Sequence, residues 1–495
     1  MAVSVYIRSK RVPLGEPDTI PDLDDKQLDA GEAMARDGNK LLFSDPGAGK
    51  TLTALHAMML VDEQLDDDRD RPTLFAVVIC PPIAVRTWMR WIYAAYTFAD
   101  RHAVIQIIDK GSDQIRVDAT HVILTYGIAS QKKKAPVVDD LRRCRFNVFI
   151  ADESDNLAGT QSNRSVTVFG HNFRKGVDAL CHFAEWCWML TGTAIPRHND
   201  GVYPVLRALF PHKLNRKLVN RVGVEYDPIK TEADFRFVFC KTRLVKFGNM
   251  RDPVEEVCGS RNEDLLNSIL YGGANPICIR LKSPVKDPPI FREVLVRPKF
   301  SKEFLKLEQE LEEAPKQDNQ GNALVDARLA TAQRLMGEEC APEVAKHVLN
   351  EFKLDRNRGV TLGKVVLHVH TEAGRRLVNA FIKAGYRVRF INGSTDRNED
   401  NETERRFNAG ECDIVVGQIV AMGVAISLQE HCDHVIFAEE TSSDARNLQA
   451  YMRVWRRGQT RKVRVDFCRP LSFLADSKVN TAERKAENAR RVLDG

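Results

Sequence analysis

The chain has 495 residues, too many for one ordinary hydrophobic core, so roughly two to four domains are expected. Hydrophobic residues make up 43% and charged residues 28%, the composition of a soluble, well-packed protein. The 73 Lys and Arg nearly cancel the 68 Asp and Glu, and the resulting net charge of +5 permits a nucleic-acid partner without implying one.

Eleven cysteines include no CxxC pair, which excludes zinc-ribbon and thioredoxin readings. Several sit in apolar runs (Cys80, Cys278, Cys468), where a reduced thiol acts as a small hydrophobe, so a reducing compartment is expected. The opening residues MAVSVYIRSKRVP lack a signal-peptide core, and no apolar run approaches the ~20 residues that span a bilayer. A soluble, intracellular protein without membrane contact is the expectation.

In chain order, residues 1–20 form an N-terminal segment, and 21–211 alternate apolar runs with helical spacers. The runs are KLLFS (40–44), LFAVVIC (74–80), HVILTY (121–126), NVFIAD (147–152) and CWMLTGT (187–193). Spacers this long are wrong for an antiparallel sandwich and right for a parallel sheet covered on both faces. Residues 212–358 carry apolar positions at helical spacing, as in KEFLKLEQELEEA, with PKQDNQGN (315–322) as a polar loop; they predict a mainly helical bridge. The α/β rhythm returns over 359–470 with KVVLHVH (364–370), YRVRFING (386–393), CDIVVGQ (412–418), HVIFAEE (434–440) and VRVDFCR (463–469), a second parallel sheet. Residues 471–495 predict a charged terminal helix. The fold class is therefore α/β, two parallel-sheet lobes with a mainly helical region between them.

Residues 44–51, SDPGAGKT, lie between an apolar strand and a helical pattern, the context of a phosphate loop. Gly47 and Gly49 let backbone amides turn inward, with Asp45 and Ala48 completing the loop. Lys50 is placed to reach the β- and γ-phosphates of ATP, and the Thr51 hydroxyl to hold Mg²⁺. Ser44 stands where the full GxxxxGK[ST] pattern has its first glycine. Gln27, shortly upstream, is a candidate adenine reader. Asp152 and Glu153 end an apolar strand; adjacent acids there suit a Mg²⁺ ligand and a base that orients the attacking water.

The order of these pieces resembles the superfamily-two helicases, and more narrowly the Swi/Snf family of DNA translocases, from about Leu23 to Phe467. DPGAGKT resembles the family's first motif; VVICPPIAVRTWMRWI (77–92), ILTYG (123–127) and LTGTAIPRHND (190–200) are similar to the next ones. HVIFAEETSSDARNLQAYMRVWRRGQTRKVRVDFC (434–468) resembles the family's "QAxxRxxRxGQ" block, with Gln449, Arg453, Arg456, Gly458 and Gln459 in register. That ending separates Swi/Snf motors from DEAD-box RNA helicases. The run 239–282 is similar to the annealing-helicase (HARP-like) branch. The family fold implied is two RecA-like lobes.

The resemblance implies that Arg453 and Arg456 supply positive charge to the γ-phosphate, a demand that physics supports. Their three-residue spacing places both on one helix face. Gly423 and Gln449 are implied at the nucleotide. A double-stranded DNA track is implied along Pro81, Arg86, Thr125 and Tyr126, then His370, Thr371, Ser394, Thr395 and Ser427, with Thr191 and Thr193 coupling it to ATP. Lys132, Lys133 and Lys134 form a basic loop beside it. Trp88 and Trp91, three apart, suit a buried helix face better than base stacking. Departures from the family pattern fall at Ser154, Asp155, Asp400, Ala425 and Ser442.

The expected function is an ATP-driven motor on double-stranded DNA, with forked or single-stranded DNA as further partners, acting as a monomer. The alternatives are a strand-separating DNA or RNA helicase and a nucleotide-dependent binding module that does not cycle. The setting expected is the cytoplasm of a bacterial or phage-infected cell, or the nucleus of a eukaryotic one.

Overall fold

The structure is a computed structural model. It describes every residue except 1–2, 46, 68–73, 83, 132–135, 161, 171–178, 193–197, 246–253, 283–284, 286, 314–322, 394–396, 423–425, 457, 478, 480–491 and 493–495. The chain divides into two compact units, one built on residues 1–241 and 259–282, the other on 242–258 and 283–487.

The first unit is organised by a nine-stranded sheet. From one edge the strands run Cys278–Ile279, Lys40–Phe43, Ala184–Thr191, Phe146–Asp152, Ala76–Cys80, His121–Thr125, Val104–Ile107, Ser4–Ile7 and Lys10–Val12. All neighbours are parallel except the last pair, an antiparallel hairpin. The central strands AVVIC and VFIAD are buried residue after residue, as β-branched runs covered on both faces must be. Helices cover them: Asp25–Asp37, Lys50–Asp67 and Ala84–Phe98 bury Met34, Met58, Val61, Trp88 and Ile92 in one core.

The second unit has a six-stranded, wholly parallel sheet, ordered Ile290–Val296, Arg464–Pro470, Cys432–Phe437, Gly363–His368, Ile414–Gln418 and Val388–Ile391. The helices Lys302–Glu313, Ala323–Asn357 and Thr371–Lys383 contribute Phe304, Val344, Val348, Leu377 and Phe381 to its core. At one end of the sheet Asp466 is fully buried and takes bonds from Arg292 (2.7 Å, twice), His434 (2.9 Å) and His347 (2.8 Å). His347, Glu351 and Asp466 have the spacing of metal ligands, but the guanidiniums of Arg292 and Arg464 already serve both carboxylates. A cation there would meet two fixed positive charges.

Each unit is thus an α/β, RecA-like parallel-sheet lobe, as expected. Two placements differ from the reading by composition. Residues 4–12 add two strands to the edge of the first sheet. The stretch 212–358 divides: 276–282 returns to the first sheet beside Lys40–Phe43, while 290–296 joins the second. The terminal helix and the 315–322 loop fall almost wholly outside the described residues. No described helix is long and apolar enough to cross a membrane.

Candidate nucleotide and nucleic-acid site

The loop 44–50 leaves the carboxyl end of the Lys40–Phe43 strand and enters the helix at Lys50, which is nearly buried. Gly47 and Gly49 have φ of 76° and 82°, a region closed to most side chains. A Cβ on Gly49 would lie 2.0 Å from Gln27 Nε2, so the backbone path depends on glycine twice over. Ser44 is there for stitching: its hydroxyl accepts from Leu281 N at 2.9 Å, and its own N–H donates to Thr191 O at 3.0 Å. Asp45 accepts from Arg280 Nη2 at 3.3 Å. The 276–282 stretch therefore braces the loop, a role that the helical reading of it missed.

Gln27, the candidate adenine reader, lies at the start of the first helix. It is buried at the third residue of a capping box, where Oε1 accepts from Asp24 N (2.9 Å) and Asp24 accepts from Gln27 N (3.0 Å). Its Nε2 donates to Ala48 O at 3.0 Å. The amide thereby joins the helix start to the phosphate loop.

Asp152 ends the Phe146–Asp152 strand, and Glu153 turns the chain with a left-handed φ of 51°. Asp152 Oδ2 accepts from Trp88 Nε1 at 2.9 Å, and its Oδ1 from Glu153 N at 3.0 Å. Burial, reinforced by the Glu153 charge, raises the Asp152 carboxyl above its ordinary range, while Trp88 and Lys50 pull it back. Asp155 is raised by the same two causes and accepts from Thr191 Oγ1 at 3.1 Å. Glu153 Oε2 is buried without a partner among the described residues. Three crowded carboxylates, two of them desolvated, with an orphaned oxygen on the third are a donor set that a divalent cation neutralises. The residues present fit Mg²⁺ and a nucleotide triphosphate.

In the second unit the helix Asp444–Tyr451 carries Gln449, and stops before the arginines. Arg453 and Arg456 lie in the following turns, not on one helix face as their spacing suggested. The Gln459 side chain fixes that turn. Its Nε2 donates to Cys432 O (2.8 Å), Gln429 O (3.2 Å) and Val454 O (3.2 Å), and its Oε1 accepts from Arg461 N (3.0 Å). Arg456 Nη1 donates to Ser427 Oγ. Gly423 lies outside the described residues.

Two family profiles match the chain: the SNF2-related domain over residues 32–227 and the helicase conserved C-terminal domain over 347–458. Each falls on one lobe. The chain belongs to the Swi/Snf family of superfamily-two helicases and translocases. No curated protein matches it. Among solved structures it is similar to the Sulfolobus solfataricus SWI2/SNF2 ATPase core in complex with dsDNA, over 97% of this chain and 99% of that one, at 16% identity. The TM-score is 0.39, too loose a likeness to argue from.

In this Swi/Snf chain the track residues divide into those open to a ligand and those used internally. Arg86 is exposed on the Ala84–Phe98 helix, and Pro81 is half-buried at a strand end. Thr125 caps the helical turn 126–129 through Ile128 N. Tyr126 departs from the expectation: it is buried, and its hydroxyl donates to Asp152 O at 2.8 Å, so its phenol faces the acids and not a phosphate. Thr191 is buried and bonded to Asp155, which suits coupling and not DNA contact. His370 Nδ1 pairs with Glu439 Oε1 at 2.7 Å, and Glu439 Oε2 accepts from the backbone of Val369 and His370, both at 2.9 Å. Thr371 opens the next helix, half-buried. Thr193, Ser394, Thr395 and Lys132 to Lys134 lie outside the described residues. Trp91 is half-buried against the core, and Trp88 is fully buried.

Proposed function

We propose that this chain hydrolyses ATP with Mg²⁺ and uses the cycle to move along double-stranded DNA as a monomer. The observation that carries the reading is the Thr191–Asp155 hydrogen bond, which ties the acid block to the last residue of the Ala184–Thr191 strand. Lys50 and Thr51 take the phosphates and the metal at the start of the helix, where backbone N–H groups already favour anions. Asp152 holds the metal, directly or through water, and Glu153, with its free carboxylate oxygen, orients and deprotonates the attacking water. Thr51 and Asp152 would hold the Mg²⁺, which would supply positive charge against the charge that develops on the phosphates. Arg456, with Arg453 beside it, supplies the remaining positive charge.

DNA is gripped through phosphates by weak, sequence-independent contacts at Pro81, Arg86, Thr125, His370, Thr371 and Ser427, joined by Ser394 and Thr395. The GQ-ended block supports duplex over RNA, and the 239–282 run supports a place beside the annealing helicases. The family assignment supports a nucleic-acid-associated setting. A strand-separating helicase would use the same site. The deciding experiment pairs ATPase assays, with and without duplex DNA, with triplex displacement run beside forked-duplex unwinding. Stimulated hydrolysis with triplex displacement and no unwinding is expected. Hydrolysis indifferent to every nucleic acid would end the motor reading.

A further inference from the structure

Trp88 lies in the core, as its helical spacing predicts, yet its indole N–H donates to a carboxylate 64 residues away. Its target, Asp152 Oδ2, belongs to the acid that the proposed function gives to the metal. The backbone carbonyl of the same Asp152 accepts from the Tyr126 hydroxyl at 2.8 Å. Asp152 is thus held at two points by side chains from two different elements, the Ala84–Phe98 helix and the 126–129 turn. Both side chains are buried, and neither is needed there for shape alone: phenylalanine would fill most of either volume without a donor.

The carboxylate's remaining orientation is set by Glu153 N on Oδ1. With both oxygens bonded and the backbone carbonyl pinned, the rotamer has little freedom left. A metal ligand needs such outer partners to be aimed before the ion arrives. We infer that Trp88 and Tyr126 are positioning residues that aim Asp152 at the metal of a bound Mg²⁺–nucleotide. The inference rests on the proposed role of Asp152.

There is a consequence for coupling. Arg86 stands two residues from Trp88 on one helix, and Thr125 immediately precedes Tyr126. A shift of either element on binding a phosphate backbone reaches Asp152 through one hydrogen bond. The acid block is then addressed by three elements: through Trp88, through Tyr126, and through Thr191 at Asp155.

The test is a binding measurement on the full chain with N-methylanthraniloyl-ADP, titrated with and without Mg²⁺ and with no DNA present. Trp88→Phe and Tyr126→Phe are compared with wild type, and thermal melting checks that each folds. In both variants the gain in affinity on adding Mg²⁺ is expected to fall at least threefold, with metal-free affinity within twofold of wild type. A gain equal to wild type in both would overturn the inference. So would an equal loss of metal-free and metal-supported binding, which is the mark of general damage to the fold. Tyr126→Phe removes one oxygen only and keeps the test decisive should Trp88→Phe fold poorly. Because no DNA enters, a failure of the duplex-motor reading would appear in the ATPase assays and not here.

Discussion

The guanidinium of Arg456 donates to the hydroxyl of Ser427, joining a residue read as a charge donor to ATP with one read as a DNA contact. Ser427 is itself fixed on both sides: its N–H donates to Glu404 Oε2 at 3.2 Å, and its carbonyl accepts from Asn408 Nδ2 at 2.8 Å. If the proposed DNA contact holds, a hydroxyl so placed links the bound strand to the arginine. Arg456→Ala is expected to lower DNA-stimulated turnover by roughly 10³-fold or more. Arg456→Lys should recover little, since a point charge lacks the guanidinium fork. Ser427→Ala, which loses one bond to a charged group worth about 1.5–3 kcal/mol, should cost roughly tenfold or more. Steady-state ATPase assays with saturating duplex check all three; wild-type turnover in Arg456→Ala would displace the assigned role.

Glu153 has a buried oxygen with no described partner, and the proposed function makes this carboxylate the base. Glu153→Gln preserves shape and removes the base, so nucleotide binding should persist while hydrolysis falls by roughly 10²–10⁴-fold. Lys50→Ala should instead lose both binding and turnover, because it removes charge from the phosphates themselves. Fluorescent-nucleotide titration beside single-turnover hydrolysis separates the two. If Glu153→Gln bound nucleotide no better than Lys50→Ala, the division of labour would be wrong.

The sequence made the strands of both sheets legible wherever they were apolar throughout, as in AVVIC and VFIAD, because burial on two faces leaves a continuous signal. Edge strands hid. Ile290–Val296 exposes Ile290, Phe291 and Leu295, and pairs with a strand some 170 residues away, so neither its pattern nor its neighbours announce it. Cys278–Ile279 is only two residues long. The phosphate loop and acid pair were readable because their chemistry is local. What Trp88, Tyr126 and Gln27 do was not, because each acts through a hydrogen bond that only the tertiary fold creates. The arginines misled in the opposite way. Helical spacing continues through Arg456, but Gln459 gathers the carbonyls of Gln429, Cys432 and Val454 and turns the chain first.

Gly49 and Gln27 form a pair that makes a sharp genetic prediction. Gly49→Ala meets two obstacles, a φ of 82° and the Gln27 amide 2.0 Å from the new Cβ. Gln27→Ala in the same chain removes the second obstacle and leaves the first. Nucleotide affinity should collapse in Gly49→Ala and recover only in part in the double variant, since a left-handed non-glycine residue still costs on the order of 1–2 kcal/mol. Equilibrium titration of all four proteins gives the cycle. Full recovery would show that the backbone conformation carries no strain, and no recovery would show that the clash is immaterial.

Two buried histidines bear on acid stability. Burial lowers His121 to about 3 and His368 to about 4, against an unfolded value near ~6.5. Between those limits the unfolded chain binds a proton that the folded chain refuses, so each histidine subtracts stability as pH falls below ~6.5, by at most about 1.4 kcal/mol per pH unit. The raised carboxyls of Asp152 and Asp155 act in the opposite sense, which makes the whole-protein curve a poor test. The difference between wild type and His121→Phe isolates one group, because the carboxyls are common to both proteins. His121 packs against the edge of the Tyr96 ring, with centroids 4.7 Å apart, and bonds Thr120 Oγ1 at 2.8 Å. Phenylalanine keeps the ring and loses that bond, so the variant should be less stable at pH 7.5. Its disadvantage should then shrink steadily from pH 6.5 to 5 in urea titrations of the folded chain. A disadvantage constant across that range would mean that His121 takes up its proton without unfolding anything.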